Sequence, residues 1–198
     1  RNYISTIGGK YLKSREKKIL ILKTPDDIRF MEFLFELYPD SKYIHICRDG
    51  RDVAVSTMKH KEDLWSDMSK RAYGEIGFLS IIKRWWSWEK KIRALLNDNS
   101  GYGYLTLKYE DLVHSPGKTV KEICDLIGVD FIPEMLNYTE KEHEYPGWEA
   151  GSADVSRKTA ITSDSIGTWK DKIPLNLRLR IEEIYGDFLN ELGYERDR

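Results

Sequence analysis

Arg48 and Ser56 stand eight residues apart, the arginine just ahead of a segment that reads as the start of a helix and the serine one to two turns into it. An arginine offers two parallel donors, and a helix start adds unpaired backbone N–H groups with the positive end of the dipole. A phosphate group fits that arrangement. The same spacing also allows Arg48 to pair with Asp49 or Asp52 as a structural salt bridge, and both readings stay open at this point. Two further polar groups follow apolar runs, Lys23-Thr24 and Tyr109-Glu110-Asp111.

The elements that must carry these residues alternate. Ile19 to Lys23 is an apolar run ending in a charge, the pattern of a strand buried on both faces. Thr24, Pro25 and Asp27 then supply a cap, a proline at the first helical position and a first-turn acid for a helix from Pro25 to Tyr38. Pro39-Asp40-Ser41 breaks it, and Tyr43 to Cys47 reads as a second strand, parallel to the first through a right-handed crossover. Apolar residues from Leu79 to Leu96 recur at helical spacing, predicting one long helix over Glu75 to Asn97.

Tyr102 to Lys108 is a further strand, and a helix opens at Ser115-Pro116 and closes at Gly128. From Pro133 to Ser165 no period holds, which marks a long loop of the kind that is either a functional lid or disordered. Leu177 to Leu192 is a final amphipathic helix. The fold class is therefore α/β, a parallel sheet flanked by helices, in a single domain over residues 1–198. Ligands of such sheets sit outside the carboxyl ends of the strands, so the Lys23, Arg48 and Tyr109 loops are expected to converge on one crevice.

Composition narrows the function. Lys plus Arg number 32 against 33 for Asp plus Glu, a net charge of -1 that gives no global grip on nucleic acid or an anionic membrane, so any anion site is local. The apolar runs are far shorter than the ~20 residues that span a bilayer. Cys47 and Cys124 lack metal-ligand spacing and read as reduced, buried thiols, which favours a cytoplasmic setting. A P-loop kinase is disfavoured, since no Gly-Lys-Ser/Thr loop is present.

Lys23-Thr24-Pro25, the block from Lys42 through Arg48-Asp49-Gly50-Arg51-Asp52 to Ser56, Tyr109-Glu110-Asp111-Leu112 after a strand, and Ser165-Ile166-Gly167-Thr168-Trp169-Lys170 occur in that order. Together they resemble the sulfotransferases that use 3'-phosphoadenosine 5'-phosphosulfate (PAPS), over roughly residues 19 to 192. The resemblance implies a P-loop-like three-layer fold, PAPS as donor with 3',5'-ADP as product, and no metal. It implies that Arg48 and Ser56 hold the 3'-phosphate, that Tyr109 lies near the adenine, and that Arg157 and Lys158 close over the nucleotide phosphate. Lys23 is the catalytic candidate, a cation that would offset charge developing on the bridging oxygen; the bland reading is a solvated strand end.

The pattern departs from the family in two places. The family's 5'-phosphosulfate loop has no counterpart here, Ile7-Gly8-Gly9-Lys10 lacking its spacing and its hydroxyl pair, and it is expected upstream of Arg1. Pro25 stands where cytosolic members carry a histidine base, and His45 and His60 read as structural. Trp85 and Trp86 read as packing residues, with Trp88 near the acceptor mouth, and Trp169 reads equally as a packing anchor for the loop or a ligand contact. The acceptor is expected to be a small molecule or saccharide with a hydroxyl or amine, its pocket formed by Lys59 to Tyr73 and Tyr138 to Ser165. The rival from another class is a non-catalytic nucleotide-binding or protein-interaction domain that retains this fold.

Overall fold

The computed structural model of the chain describes residues 2–62, 67–98, 101–137 and 162–197. Its centre is a pair of parallel strands, β1 (Tyr43–Cys47) and β2 (Tyr104–Lys108), aligned from Tyr43 opposite Tyr104 to Cys47 opposite Lys108. Side chains alternate across a strand, so Tyr43, His45 and Cys47 share one face with Tyr104, Thr106 and Lys108. Cys47 on that face is buried, whereas Ile44 and Ile46 on the opposite face are exposed.

Two helices link the strands, α3 (Gly50–Glu62) and α4 (Asp67–Asp98), and they pack on each other. With α7 (Trp169–Lys172) and α8 (Leu175–Glu191) they enclose the main core, which runs through Cys47, Ala54, Ile82, Trp85, Trp169 and Ile181. A smaller cluster gathers Phe35, Leu95 and Leu96, with the Phe35 ring 4.6 Å from Tyr43 and 4.7 Å from Tyr102. The Tyr43 hydroxyl donates to the carbonyls of Leu34 and Tyr38 and so ties the end of α2 (Met31–Leu37) to the first strand.

Most expected elements are present: β1, β2, the long helix as α4, and the last helix as α8. The helix opened by Ser115-Pro116 is α6 (Pro116–Ile127), ended by Gly128 at φ 74°, where a residue without Cβ is favoured. A six-residue helix, α5 (Tyr109–His114), joins β2 to α6. The chain begins with α1 (Asn2–Ser14), which the sequence reading did not anticipate.

Ile19 to Lys23 is not a strand. Among the described residues β1 pairs with β2 alone, so this run has no ladder neighbour to take up its backbone N–H and C=O groups. Its Ile21 is 72% and its Leu22 60% exposed, while Leu20 leans on Gly8 of α1. The crossover expected from it to β1 is absent for the same reason. The helix expected over Pro25 to Tyr38 divides into a 3-10 segment (Pro25–Phe30) and α2, because Phe30 at φ -119° and ψ 10° leaves helical geometry. The expected loop over Lys59 to Tyr73 is largely the end of α3 and the start of α4. Of the long loop expected from Pro133 to Ser165, Pro133–Leu136 is a 3-10 turn and residues 138–161 lie outside those described. No helix among the described residues is long and apolar enough to cross a membrane.

Candidate functional site

The site grows from the point where β1 ends and α3 begins. Arg48 follows Cys47, and its backbone carbonyl accepts a hydrogen bond from Trp85 Nε1 of α4 at 3.1 Å. Its guanidinium lies over the Tyr109 ring, 4.5 Å from the centroid, and Nη2 donates to the Ser165 carbonyl at 2.6 Å. The Nε of Arg48 is buried and has no hydrogen-bond partner among the described residues. A buried donor left unpaired is costly, so this nitrogen is the group of the site most in need of an acceptor.

Neither carboxylate that could have neutralised Arg48 does so. Asp49 Oδ1 accepts from the Arg51 backbone N–H at 2.9 Å, which caps α3, and both its oxygens accept from the Arg51 guanidinium at 2.8 to 3.3 Å. Arg51, 2% exposed, also donates to Glu182 Oε1 at 2.8 Å and lies 3.7 Å from the centre of the Trp169 ring. Asp52 faces the other way and accepts three bonds from the downstream loop: Gly167 N–H at 2.7 Å, Thr168 Oγ1 at 2.8 Å and Trp169 N–H at 3.0 Å. Of the two readings left open by the spacing, the salt bridge is therefore the one that the geometry removes.

The ends of the two strands meet. Glu110 Oε1 accepts from the backbone N–H of Asp49 at 3.0 Å, and Tyr109 Oη shares a hydrogen bond with Ser165 Oγ at 2.9 Å. The expected convergence of the Arg48 and Tyr109 loops is thus met, and the Ser165 loop joins them. Ser56 sits half-buried on α3, on the same helix that Arg48 precedes. The picture of a helix start with free N–H groups needs amending, because the Asp49 side chain already occupies the Arg51 N–H. Lys23 is exposed and, since Ile19 to Lys23 is not a strand, does not stand at a strand end. Arg157 and Lys158 lie outside the described residues.

Behind the strand ends runs a second set of polar groups. Tyr194 Oη donates to Glu110 Oε2 at 3.3 Å and stands 3.6 Å from Cys47 Sγ, while His45 Nε2 lies 3.3 Å from Glu89 Oε1. Burial pushes the Cys47 thiol up to about 12, with the Glu89 carboxylate adding to it. The Tyr194 hydroxyl is raised too, first by burial and then by Cys47. Cys47 and Cys124 are both free and buried, as expected. Tyr194 braces Glu110 and through it the backbone at Asp49. Among the described residues no group of three His, Cys, Asp or Glu side chains could hold a metal ion.

The spacing singles out Arg48, Ser56 and Tyr109 but not the groups that hold them in place. It shows Asp52 only as a partner for Arg48 and Glu110 only as a strand-end acid. Trp85, read as packing, is 7% exposed and its indole also holds the Arg48 carbonyl, while Trp169, left open between packing and ligand contact, is 3% exposed and part of the main core.

A strand pair in parallel with helices on it defines an α/β protein, and a cluster of cation, hydroxyl and aromatic stands at the strand ends, where ligands of such sheets usually sit. Residues 4–133 match the model of the Sulfotransferase family, and the chain belongs to that family. It is 24% identical to human sulfotransferase 2A1 over 179 residues, covering 81% of this chain and 62% of the human protein. It is 29% identical to mouse carbohydrate sulfotransferase 2 over 93 residues, 47% of this chain and 17% of that one. The chain thus spans about three-fifths of the first of these relatives and less of the second. Among solved structures, the sulfotransferase domain from the curacin biosynthetic pathway superposes with a TM-score of 0.71 at 21% identity, covering 98% of this chain and 69% of that domain. The chain has the fold of those domains.

Proposed function

We propose that the protein transfers a sulfuryl group from PAPS to a hydroxyl or amine acceptor, and that Arg48 and Ser56 hold the 3'-phosphate of the donor. One observation carries the reading: Arg48 has a buried Nε without a hydrogen-bond partner among the described residues, while both nearby carboxylates are engaged elsewhere. A phosphate oxygen is the acceptor that would complete it, and the Ser56 hydroxyl would supply a second donor from α3. Tyr109, already stacked on the guanidinium, offers its ring to the adenine. Arg157 and Lys158 close over the phosphate in this reading.

Bound PAPS supplies an activated sulfuryl group on a phosphate leaving group. Sulfuryl transfer parallels phosphoryl transfer, so positioning and cationic donors supply most of the rate, and one such donor is worth about 3–4 kcal/mol in comparable oxyanion sites. Lys23 is the proposed donor to the bridging oxygen. The reaction takes no metal. A small molecule or saccharide acceptor agrees with the name of the mouse carbohydrate sulfotransferase that the chain resembles.

Calorimetric titration with 3',5'-ADP at fixed salt tests the site. Arg48→Ala is expected to lower affinity at least tenfold with circular dichroism unchanged, and Ser56→Ala to lower it less. An unchanged affinity in Arg48→Ala overturns the assignment. A second reading, a non-catalytic nucleotide-binding domain with this fold, draws on the exposed position of Lys23. Binding of 3',5'-ADP without sulfuryl transfer from PAPS to any of a panel of sugars, phenols and amines would select it.

A further inference from the structure

Resting on the nucleotide reading just given, we infer that Asp52 is a positioning residue that sets Arg48 for the 3'-phosphate by clamping the loop against which the guanidinium lies. Asp52 takes all three of its described hydrogen bonds from Gly167, Thr168 and Trp169, at 2.7, 2.8 and 3.0 Å, and it is 1% exposed. A buried carboxylate must be satisfied by donors, and here every donor comes from one short loop. That loop then reaches the site two residues earlier. Ser165 receives the Arg48 Nη2 on its carbonyl at 2.6 Å and meets the Tyr109 hydroxyl with its Oγ at 2.9 Å.

Gly167, at φ 72°, makes the bend between the clamped end and the end that touches Arg48. Downstream the loop is fixed a second time, where the Trp169 ring lies under the Arg51 guanidinium at 3.7 Å. The chain of contact from Asp52 to Arg48 is therefore continuous through a loop with both ends held. The guanidinium is thus held by Nη2 on the Ser165 carbonyl and by the Tyr109 ring against it, and its buried Nε is left without a partner among the described residues. Without the clamp the guanidinium would keep its charge and lose its aim. Such a loss falls on recognition of the 3'-phosphate and spares the rest of the nucleotide.

The test compares 3',5'-ADP with 5'-AMP, which lacks the 3'-phosphate, in calorimetric titrations of the wild type, Asp52→Asn and Asp52→Ala. Asp52→Ala should lower 3',5'-ADP affinity at least tenfold and 5'-AMP affinity less than twofold, with Asp52→Asn, which keeps an acceptor oxygen, in between. Equal affinity for 3',5'-ADP in the variants overturns the inference, and so does an equal loss for both nucleotides, which would mark a role in folding alone. If Asp52→Ala does not fold, Thr168→Val removes only the hydroxyl bond and should lower 3',5'-ADP affinity two- to fivefold; no change overturns the inference. Hydrogen exchange at the Gly167 and Trp169 amides reads the clamp without ligand and should quicken at least tenfold in Asp52→Asn. A wild type that binds neither nucleotide, with exchange quickened as expected, would overturn the nucleotide reading and with it the positioning role, while leaving the clamp itself in place. Unchanged exchange in a wild type that does bind would overturn the inference alone.

Discussion

The indole N–H of Trp85 donates to the backbone carbonyl of Arg48 at 3.1 Å, so a residue of α4 fixes the chain where β1 hands over to α3. The same ring fills the space beside Gly50, where a Cβ would collide with it. Two residues that touch nothing outside the protein therefore set the height of the guanidinium that follows the strand.

Gly50→Ala is expected to destabilise the protein by roughly 1–3 kcal/mol, the usual cost of forcing a group into a filled core. Its backbone has no need of glycine conformation, so the effect comes from the collision alone. Urea unfolding should give a lower midpoint with the slope unchanged. A midpoint equal to that of the wild type would mean that the ring yields without cost.

Arg51 is the buried cation between Asp49 at 2.8 Å and Glu182 at 2.8 Å, and Glu182 also meets the half-exposed Arg196 at 3.6 Å. Removing Arg51 leaves Asp49 buried without its cation and Glu182 with Arg196 alone, and breaking a buried pair in this way costs roughly 3–5 kcal/mol. Arg51→Ala should show that loss in thermal and urea unfolding. Arg51→Lys should recover only part of it, because one ammonium cannot reproduce the fork that spans both acids. Full recovery by lysine would sink the geometric argument.

Alkaline pH should weaken the fold in a defined window. The Cys47 thiol rises from its ordinary 9.0 to about 12 in the folded protein, first through burial and then through the Glu89 carboxylate. Above pH 9 the unfolded chain loses a proton that the folded chain keeps, so the folded state binds more protons and stability falls as pH rises. This contribution is fully present below pH 9 and is lost between there and about 12, at up to about 1.4 kcal/mol per pH unit. Tyr194, raised by burial, adds the same sign above its ordinary 10.0. Urea unfolding from about pH 8 to about pH 10.5 should show the decline, and Cys47→Ala should flatten part of it. A flat profile in the wild type would refute the assignment. Alkylation of Cys47 by iodoacetamide at about pH 8 should be slow until the protein unfolds.

Much of this was legible from local patterning. Tyr43 to Cys47, the apolar stripe of α4 and the Pro116 to Gly128 helix each carry their own start, period or stop signal, and each formed where those signals stand. Arg48 and Ser56 were legible because their spacing is a property of one segment. Ile19 to Lys23 was misread because a strand is decided by its neighbour, and an apolar run contains no record of whether one is there. Asp52 was misread for a related reason: its donors are 115 to 117 residues away, and an acid four places after an arginine looks like a local partner. The buried group around Arg51, which reaches Glu182 and the Glu195 carbonyl, is equally invisible to spacing.

The bonds that Asp52 makes across those 115 to 117 residues also bear on the order in which the molecule assembles. Helices form from neighbours, whereas a contact across so long a span must first meet the entropy of closing the chain, which grows with the length enclosed. Helical signal in α3, α4 and α8 should thus return early in refolding, and protection of the Gly167 and Trp169 amides late. Clamping of this loop becomes a clock for the final stage of folding, and a newly made chain is helical well before Asp52 has met its donors.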